Sequence, residues 1–268
     1  MRPVASCVLR NLAAIGPALA VALGAMNAHA GNPRPLFEPT DLDLENPGTL
    51  QVDTQLGELR GPDAARAVVP DFEFDLGLAR NVELDVDSQY AIEGPSARGF
   101  TWDRPGPDNL WVASKLGLWD AHDGARRRAW AIGVQLGPKI PIAHGARGVG
   151  YEGLVLVERS VGEMHLVLNL GALIDPGSGV STGRSEGIEG GVDVNLPLNK
   201  SASLTLLGEF GGVRFLSDDR HQLHATAGLS WAATKSTDLS LIGLKGLLSG
   251  GDRYGVLAGI AQRFSLWD

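Results

Sequence analysis

Apolar and polar residues alternate with period two along most of the chain, in runs of about ten residues that close on turn signals; such a run sends its two classes to opposite faces of a strand. Residues 71–78 place Phe72, Phe74, Leu76 and Leu78 on one face and Glu73, Asp75 and Gly77 on the other. Residues 82–92 set Val82, Leu84, Val86 and Ile92 against Glu83, Asp85, Asp87 and Gln89. Met164, Leu166, Leu168 and Leu170 alternate with His165, Val167, Asn169 and Gly171. Leu223, Ala225, Ala227, Leu229 and Trp231 alternate with Gln222, His224, Thr226, Gly228 and Ser230. Twelve strands are predicted on this pattern, over 49–59, 70–79, 81–93, 109–120, 127–140, 150–160, 162–174, 185–197, 200–211, 220–232, 236–247 and 253–264. Two leave their phase open, because Val155-Leu156-Val157 and the run Leu239 to Leu244 do not alternate cleanly.

The links carry as much information as the strands. The second, sixth, eighth and tenth are tight, near Ala79-Arg80-Asn81, Val161, Leu198-Asn199 and Ala233-Thr234-Lys235, and the fourth, near His122-Asp123-Gly124, is moderate. The odd-numbered links are mostly longer, as in 94–108 with Gly94-Pro95 and Arg104-Pro105-Gly106-Pro107. Long and short links sorted to opposite ends of an even number of strands predict an all-β fold, an antiparallel transmembrane β-barrel of about 12 strands. A water-soluble sandwich has no reason to sort its loops this way.

The N-terminus changes the compartment. Arg2 and Arg10 precede the apolar run Leu12 to Met26, and Asn27-Ala28-His29-Ala30 ends on small residues. That is the pattern of a secretory signal peptide over 1–30, cut after Ala30. Residues 31–48 hold Pro33, Pro35, Pro39 and Pro47, a stiff strand-free segment that reads as a periplasmic tail or as a short plug at the pore mouth; residues 49–268 are the barrel. Losing the signal removes Cys7, the one cysteine, and two arginines, leaving 21 basic residues against 31 acidic, a net −10. No disulfide or cysteine zinc site is then available, and the acidic balance excludes a general nucleic-acid binder. The 36 glycines are about twice the usual ~7%. Several fall within strands, among them Gly77, Gly133, Gly171 and Gly228, where close packing or strong curvature is the reason a strand tolerates glycine.

The order of segments resembles a known family, the outer-membrane "MetA-pathway of phenol degradation" barrels, often called putative transporters. The likeness runs over most of 46–264. It starts at Asn46-Pro47-Gly48 and takes in the paired strands Val69 to Tyr90, Ser114-Lys115-Leu116-Gly117-Leu118 and Leu136-Gly137-Pro138-Lys139-Ile140-Pro141. It continues through Met164 to Gly171, Leu207-Gly208-Glu209-Phe210 and Leu244-Lys245-Gly246-Leu247. The resemblance implies an outer-membrane barrel linked to uptake of aromatic or apolar compounds, with no catalytic residue and no cofactor. The final strand, Ala261-Gln262-Arg263-Phe264, implies recognition by barrel-assembly machinery, with outer-membrane lipid as the other partner.

In a membrane barrel the polar parity points inward. The lumen is therefore expected to carry Asp53, Glu73, Asp75, Glu83, Asp85, Asp87, Asn169, Glu189, Asp193 and Glu209, facing Lys115, Lys139, Lys245 and Arg263. Closure should bring Arg263 toward Asp53, and Lys115 should neutralise the row Glu83 to Asp87. Such a ladder is either a selectivity-setting constriction or a structural ion-pair plug. Trp102, Trp111, Trp119, Trp130, Trp231 and Tyr254 are candidates for interfacial girdles. His165 and His224 are mid-strand on the inward parity, without the His-x-Ser-Asn-Gly pattern of barrel phospholipases; His224-Ala225-Thr226 is the nearest approach. No metal-ligand spacing and no phosphate loop stands out; Asp218-Asp219 and Asp41-x-Asp43-x-Glu45 read as solvated acid runs, with weak calcium holding as the alternative. The expected function is a passive channel or uptake pore, with a non-conducting structural barrel or a lipid-modifying enzyme as the rivals.

Overall fold

Each long alternating segment pairs antiparallel with its neighbours in sequence, and the last pairs with the first, so the sheet closes on itself. The structure, a computed structural model, describes residues 42, 44–61, 64–95, 106–119, 130–143, 146–178, 185–216 and 221–267. Twelve strands form the wall: β1 (Thr49–Arg60), β2 (Ala64–Ala79), β3 (Val82–Pro95), β5 (Leu110–Trp119), β6 (Ala131–Ile140), β8 (Gly150–Val161), β9 (Met164–Ile174), β11 (Glu186–Pro197), β12 (Leu204–Phe215), β13 (Gln222–Ala232), β14 (Thr237–Gly246) and β15 (Tyr254–Ser265). Three two-residue pieces complete the set. β4 (Gly106–Pro107) extends the edge of β3, and β7 (Ala146–Arg147) pairs with β10 (Gly177–Ser178) outside the wall. No open edge remains in the wall, which is how a sheet satisfies its backbone in lipid.

The starts of β2 and β12 differ from the periodicity, each for a local reason; β12 also runs on to Phe215 against an expected 211, and β6 begins at Ala131 against an expected 127, with 127–129 outside the described residues. β2 begins at Ala64 and not at 70, because the ladder with β1 and β3 skips Val69 and Pro70 in a bulge and resumes beyond them. A bulge is where proline, which has no N–H to give the ladder, is tolerated. β12 begins at Leu204 and not at 200. The Asn199 side chain accepts the Ser203 N–H at 2.9 Å, and the Ala202 N–H donates to the Asn199 carbonyl at 3.0 Å, which holds 199–203 in a turn.

The end of the barrel where β1 starts and β15 stops is called proximal here, and the opposite end distal. Links at the proximal end are short, at 80–81, 162–163, 198–203 and 233–236, except the one spanning 120–130. Distal links are mostly longer, except 61–63 and the six-residue 216–221.

The outer face is apolar and exposed, with Leu56, Leu136, Val155, Leu168, Leu170, Leu241 and Val256 all outward. Its aromatics sort by end. Trp119, Trp130, Trp231, Phe264 and Trp267 ring the proximal rim, while Tyr90, Tyr151 and Tyr254 lie toward the distal one. Arg159 stacks its guanidinium over Trp130 at 4.7 Å. Amphipathic rings at both borders of an apolar band are what membrane interfaces select. Trp111 is not part of a girdle: it faces inward, with the Lys139 ammonium 5.9 Å from its ring centre. Trp102 lies outside the described residues.

Candidate functional site: the lumen

The inward parity of β1, β2 and β3 aligns Asp53 opposite Glu73, Glu73 opposite Asp87, and Asp75 opposite Asp85. Asp53, Asp75, Glu83 and Asp85 are all buried. Lys115 on β5 lies opposite Glu83 and puts its Nζ 2.8 Å from Glu83 Oε1 and 3.7 Å from Asp85 Oδ2. Gln135, next across on β6 and fully buried, donates from Nε2 to Asp85 Oδ2 at 2.6 Å. Gln135 follows from the same alternation that carries Lys139, four residues on, yet an uncharged side chain draws no attention in sequence.

The other half of the wall has its own polar network. Asn169 Nδ2 donates to Asp193 Oδ2 at 2.6 Å, and Asp193 lies opposite Glu209, whose Oε1 is 3.0 Å from His224 Nε2. Glu189 is also buried and inward. Lys139 pairs with Glu152 and, at 3.2 Å, with Asp175. Arg263 faces inward, but its partners are Glu45 at 3.0 Å and Asp238 at 2.9 Å, not Asp53. The reason is that Asp53 already accepts Gln51 Nε2 at 2.8 Å while Asp238 comes from the adjoining strand.

Lys245 is on the outer face, not in the lumen. It is exposed and lies opposite Ala225, in line with the outward Ala227, Leu229 and Trp231. The phase of β14 is set by Ile242 and Leu244, which are buried inside. Assigning inwardness by polarity fails where the inner wall is itself apolar. Lys245 sits at the distal rim beside Tyr254, where an ammonium can reach the interface on its flexible stem.

That inner apolar zone was hidden from the periodicity. Leu59, Val68 and Leu257 form one buried cluster and Leu173, Val213 and Phe215 another, all toward the distal ends of their strands. With Ile242 and Leu244 they make apolar patches in the distal half of the inner wall, set beside buried Glu152 and Glu189, which lie opposite Leu173 and Val213. The unresolved phase of Leu239 to Leu244 was its trace in the sequence.

The proximal mouth is occupied by the chain's own N-terminal segment. Leu42 is buried among Ala131, Leu154 and Leu156, with Trp111 against the group. The Glu45 N–H donates to Glu83 Oε2 at 2.5 Å, and Glu45 Oε1 receives Arg263. Gly77 and Gly133 are the wall positions that admit it. A Cβ on Gly77 would collide with the Glu45 and Asn46 carbonyls, and one on Gly133 with the Leu42 side chain. The described part of 31–48 is therefore an insert in the mouth and not a free tail. Leu42 and Leu44, alternating with acids in a proline-rich stretch, were the legible sign of it.

Among the described residues, His165 does not form a nucleophile relay. His165 Nδ1 faces both Glu158 Oε1 at 2.8 Å and Ser160 Oγ at 3.4 Å, so acid and hydroxyl compete for one ring nitrogen, whereas a relay uses both. Thr226 lies opposite Glu209 on the inner face, away from any lipid contact.

Comparison with solved structures agrees with this architecture. The chain superposes on the COG4313 outer membrane channel from Pseudomonas putida F1 with a TM-score of 0.64 at 12% identity, over 85% of this chain and 100% of that one. The NanC porin matches with a TM-score of 0.57 at 9% identity over 79% and 98%, and the KdgM porin with 0.54 at 9% over 80% and 99%. No family model and no curated protein matches the sequence. The fold is that of an outer-membrane β-barrel, a closed antiparallel twelve-stranded one, and these structural neighbours are channels and porins.

Proposed function

We propose that the protein is an outer-membrane channel for passive uptake of small apolar solutes, aromatic ones included, with its proximal, terminus-bearing end in the periplasm. The apolar patches of the distal inner wall carry this reading. A pore for hydrophilic solutes keeps its inner wall polar throughout, whereas here Leu59, Val68, Leu257, Val213 and Phe215 line the distal lumen. The acidic side chains of the inner wall argue against anionic cargo. The KdgM structure is a complex with oligogalacturonate, a polyanion that Asp53, Asp75, Asp85 and Asp193 would repel. The positive start, apolar run and small-residue end of 1–30 support its reading as an export signal, and the closing Ala261 to Phe264 supports the reading of the last strand as the assembly signal.

The test combines two measurements. Cells carrying the barrel should take up N-phenylnaphthylamine, an apolar fluorophore that an intact outer membrane excludes, faster than cells without it, and Leu257→Glu should abolish the gain. Purified protein in planar bilayers should give small, discrete conductance steps. No conductance together with no gain in uptake would leave a structural barrel. Lipid hydrolysis lost in Thr226→Ala would favour the enzyme.

Membrane residence is checked separately. Leu168 and Leu170 project outward at the middle of β9. Leu170→Arg should destabilise the folded barrel in lipid by about 2–4 kcal/mol, the cost of a midplane cation on a barrel wall. The readout is the urea dependence of the heat-modifiable gel shift. A change near zero would mean that this face does not meet hydrocarbon.

A further inference from the structure

We propose that Asp53, Glu73 and Asp75 form a calcium site in the proximal half of the lumen. Asp53 and Glu73 are register partners across β1 and β2, and Asp75 projects from the same face two residues on. One carboxylate oxygen from each lies within 4.8 Å of the others, a span that one Ca2+ bridges at about 2.3–2.6 Å per oxygen. Asp53 and Asp75 are only 5% and 7% exposed, and the Oδ1 atom of each is buried with no hydrogen-bond partner. Anionic oxygens so placed are costly unless a cation neutralises them.

A neutral side chain supports the same assignment independently. Gln51, the register partner of Asp75, donates from Nε2 to Asp53 Oδ2 at 2.8 Å and leaves its own Oε1 buried and unpartnered. An amide carbonyl beside carboxylates is the donor mixture that hard cations take. Lys115 and Arg263, whose charges act on Asp75 and Asp53 through space, make their ion pairs with other acids, Lys115 with Glu83 and Asp85 and Arg263 with Glu45 and Asp238. A cavity of about 130 Å³ bordered by Gln51, Asp238 and Arg263 opens onto Asp53. Ligands fixed on two strands offer an irregular shell, which suits Ca2+ better than the strict octahedron of Mg2+. Ligands from separate strands also explain why no sequence motif announces the site.

The experiment is calorimetric titration of the refolded full barrel in detergent, stripped with EDTA, with Ca2+ and separately with Mg2+. One Ca2+ per barrel is expected, with weaker Mg2+ binding and a higher unfolding temperature when calcium is present. Asp75→Asn and Glu73→Gln should each weaken Ca2+ binding by about 10–100-fold, at least the loss that disturbing a metal's outer shell causes. Asp193→Asn, on the opposite wall, should leave it unchanged. Folding of every variant is confirmed by its heat-modifiable gel shift, and the half-buried Glu73 carries the test where Asp75→Asn does not fold. No saturable Ca2+ binding to the folded parent, or an unchanged affinity in folded Glu73→Gln, overturns the site. Binding is read without flux, so the outcome is independent of whether the pore conducts.

Discussion

Lys115→Met is expected to destabilise the barrel by about 3–5 kcal/mol, the range for removing one partner of a buried ion pair. The ammonium is nearly enclosed, with 8% of its side chain exposed, against 2% for Glu83 and 1% for Asp85. Coulomb attraction alone is not the point, since burying both charges has already cost much of it. The loss is large because Glu83 and Asp85 then remain buried without the ammonium that both of them face. Adding Glu83→Gln to Lys115→Met should recover a large part of the loss, since it removes one of the stranded charges. Urea titration of the gel-shift transition measures both. A Lys115→Met barrel within about 1 kcal/mol of the parent, as for an exposed pair, would mean that water reaches this cluster freely.

The second large effect concerns the insert. Gly77→Val places its side chain where the Glu45 and Asn46 carbonyls pass, and the atoms it would meet first belong to that segment and not to the wall. The segment should leave its seat while the barrel stays closed. Mean conductance in planar bilayers is expected to rise by about twofold or more, since a twelve-stranded wall is wider than its own side chains fill. Leu42→Asp should act in the same direction by spoiling the socket of Ala131, Leu154 and Leu156. If both variants fold and conduct as the parent does, the segment is not what narrows the mouth.

The wall was legible in sequence to a degree that reflects its physics. Where one face meets an apolar exterior and the other a polar lumen, alternation is enforced residue by residue, and β3, β9 and β13 read off directly. Reading failed where a different force acted. Asn199 captures the turn before β12 with its own side chain, which periodicity does not register. β14 has apolar residues on both faces, so the rule that polar means inward misplaced Lys245. The ion pairs were legible only as rows. That Lys115 reaches Glu83 follows from strand adjacency, but that Arg263 turns to Glu45 and Asp238 depends on the insert, and the sequence does not say where that segment lies.

β8 shows what an apolar interior does to assembly. Leu154 and Leu156 face Leu42 inside, while Val155 and Val157 face out. A one-residue slip of such a strand exchanges leucine for valine on each face, with little hydrophobic penalty to oppose it. What opposes the slip lies at the strand ends: Glu152 would leave Lys139, and Glu158 would leave His165, each carrying a charge into lipid. Register fidelity in this part of the wall thus rests on two carboxylates flanking an ambiguous centre. Glu152 and Glu158 hold the register of β8 as well as line the lumen.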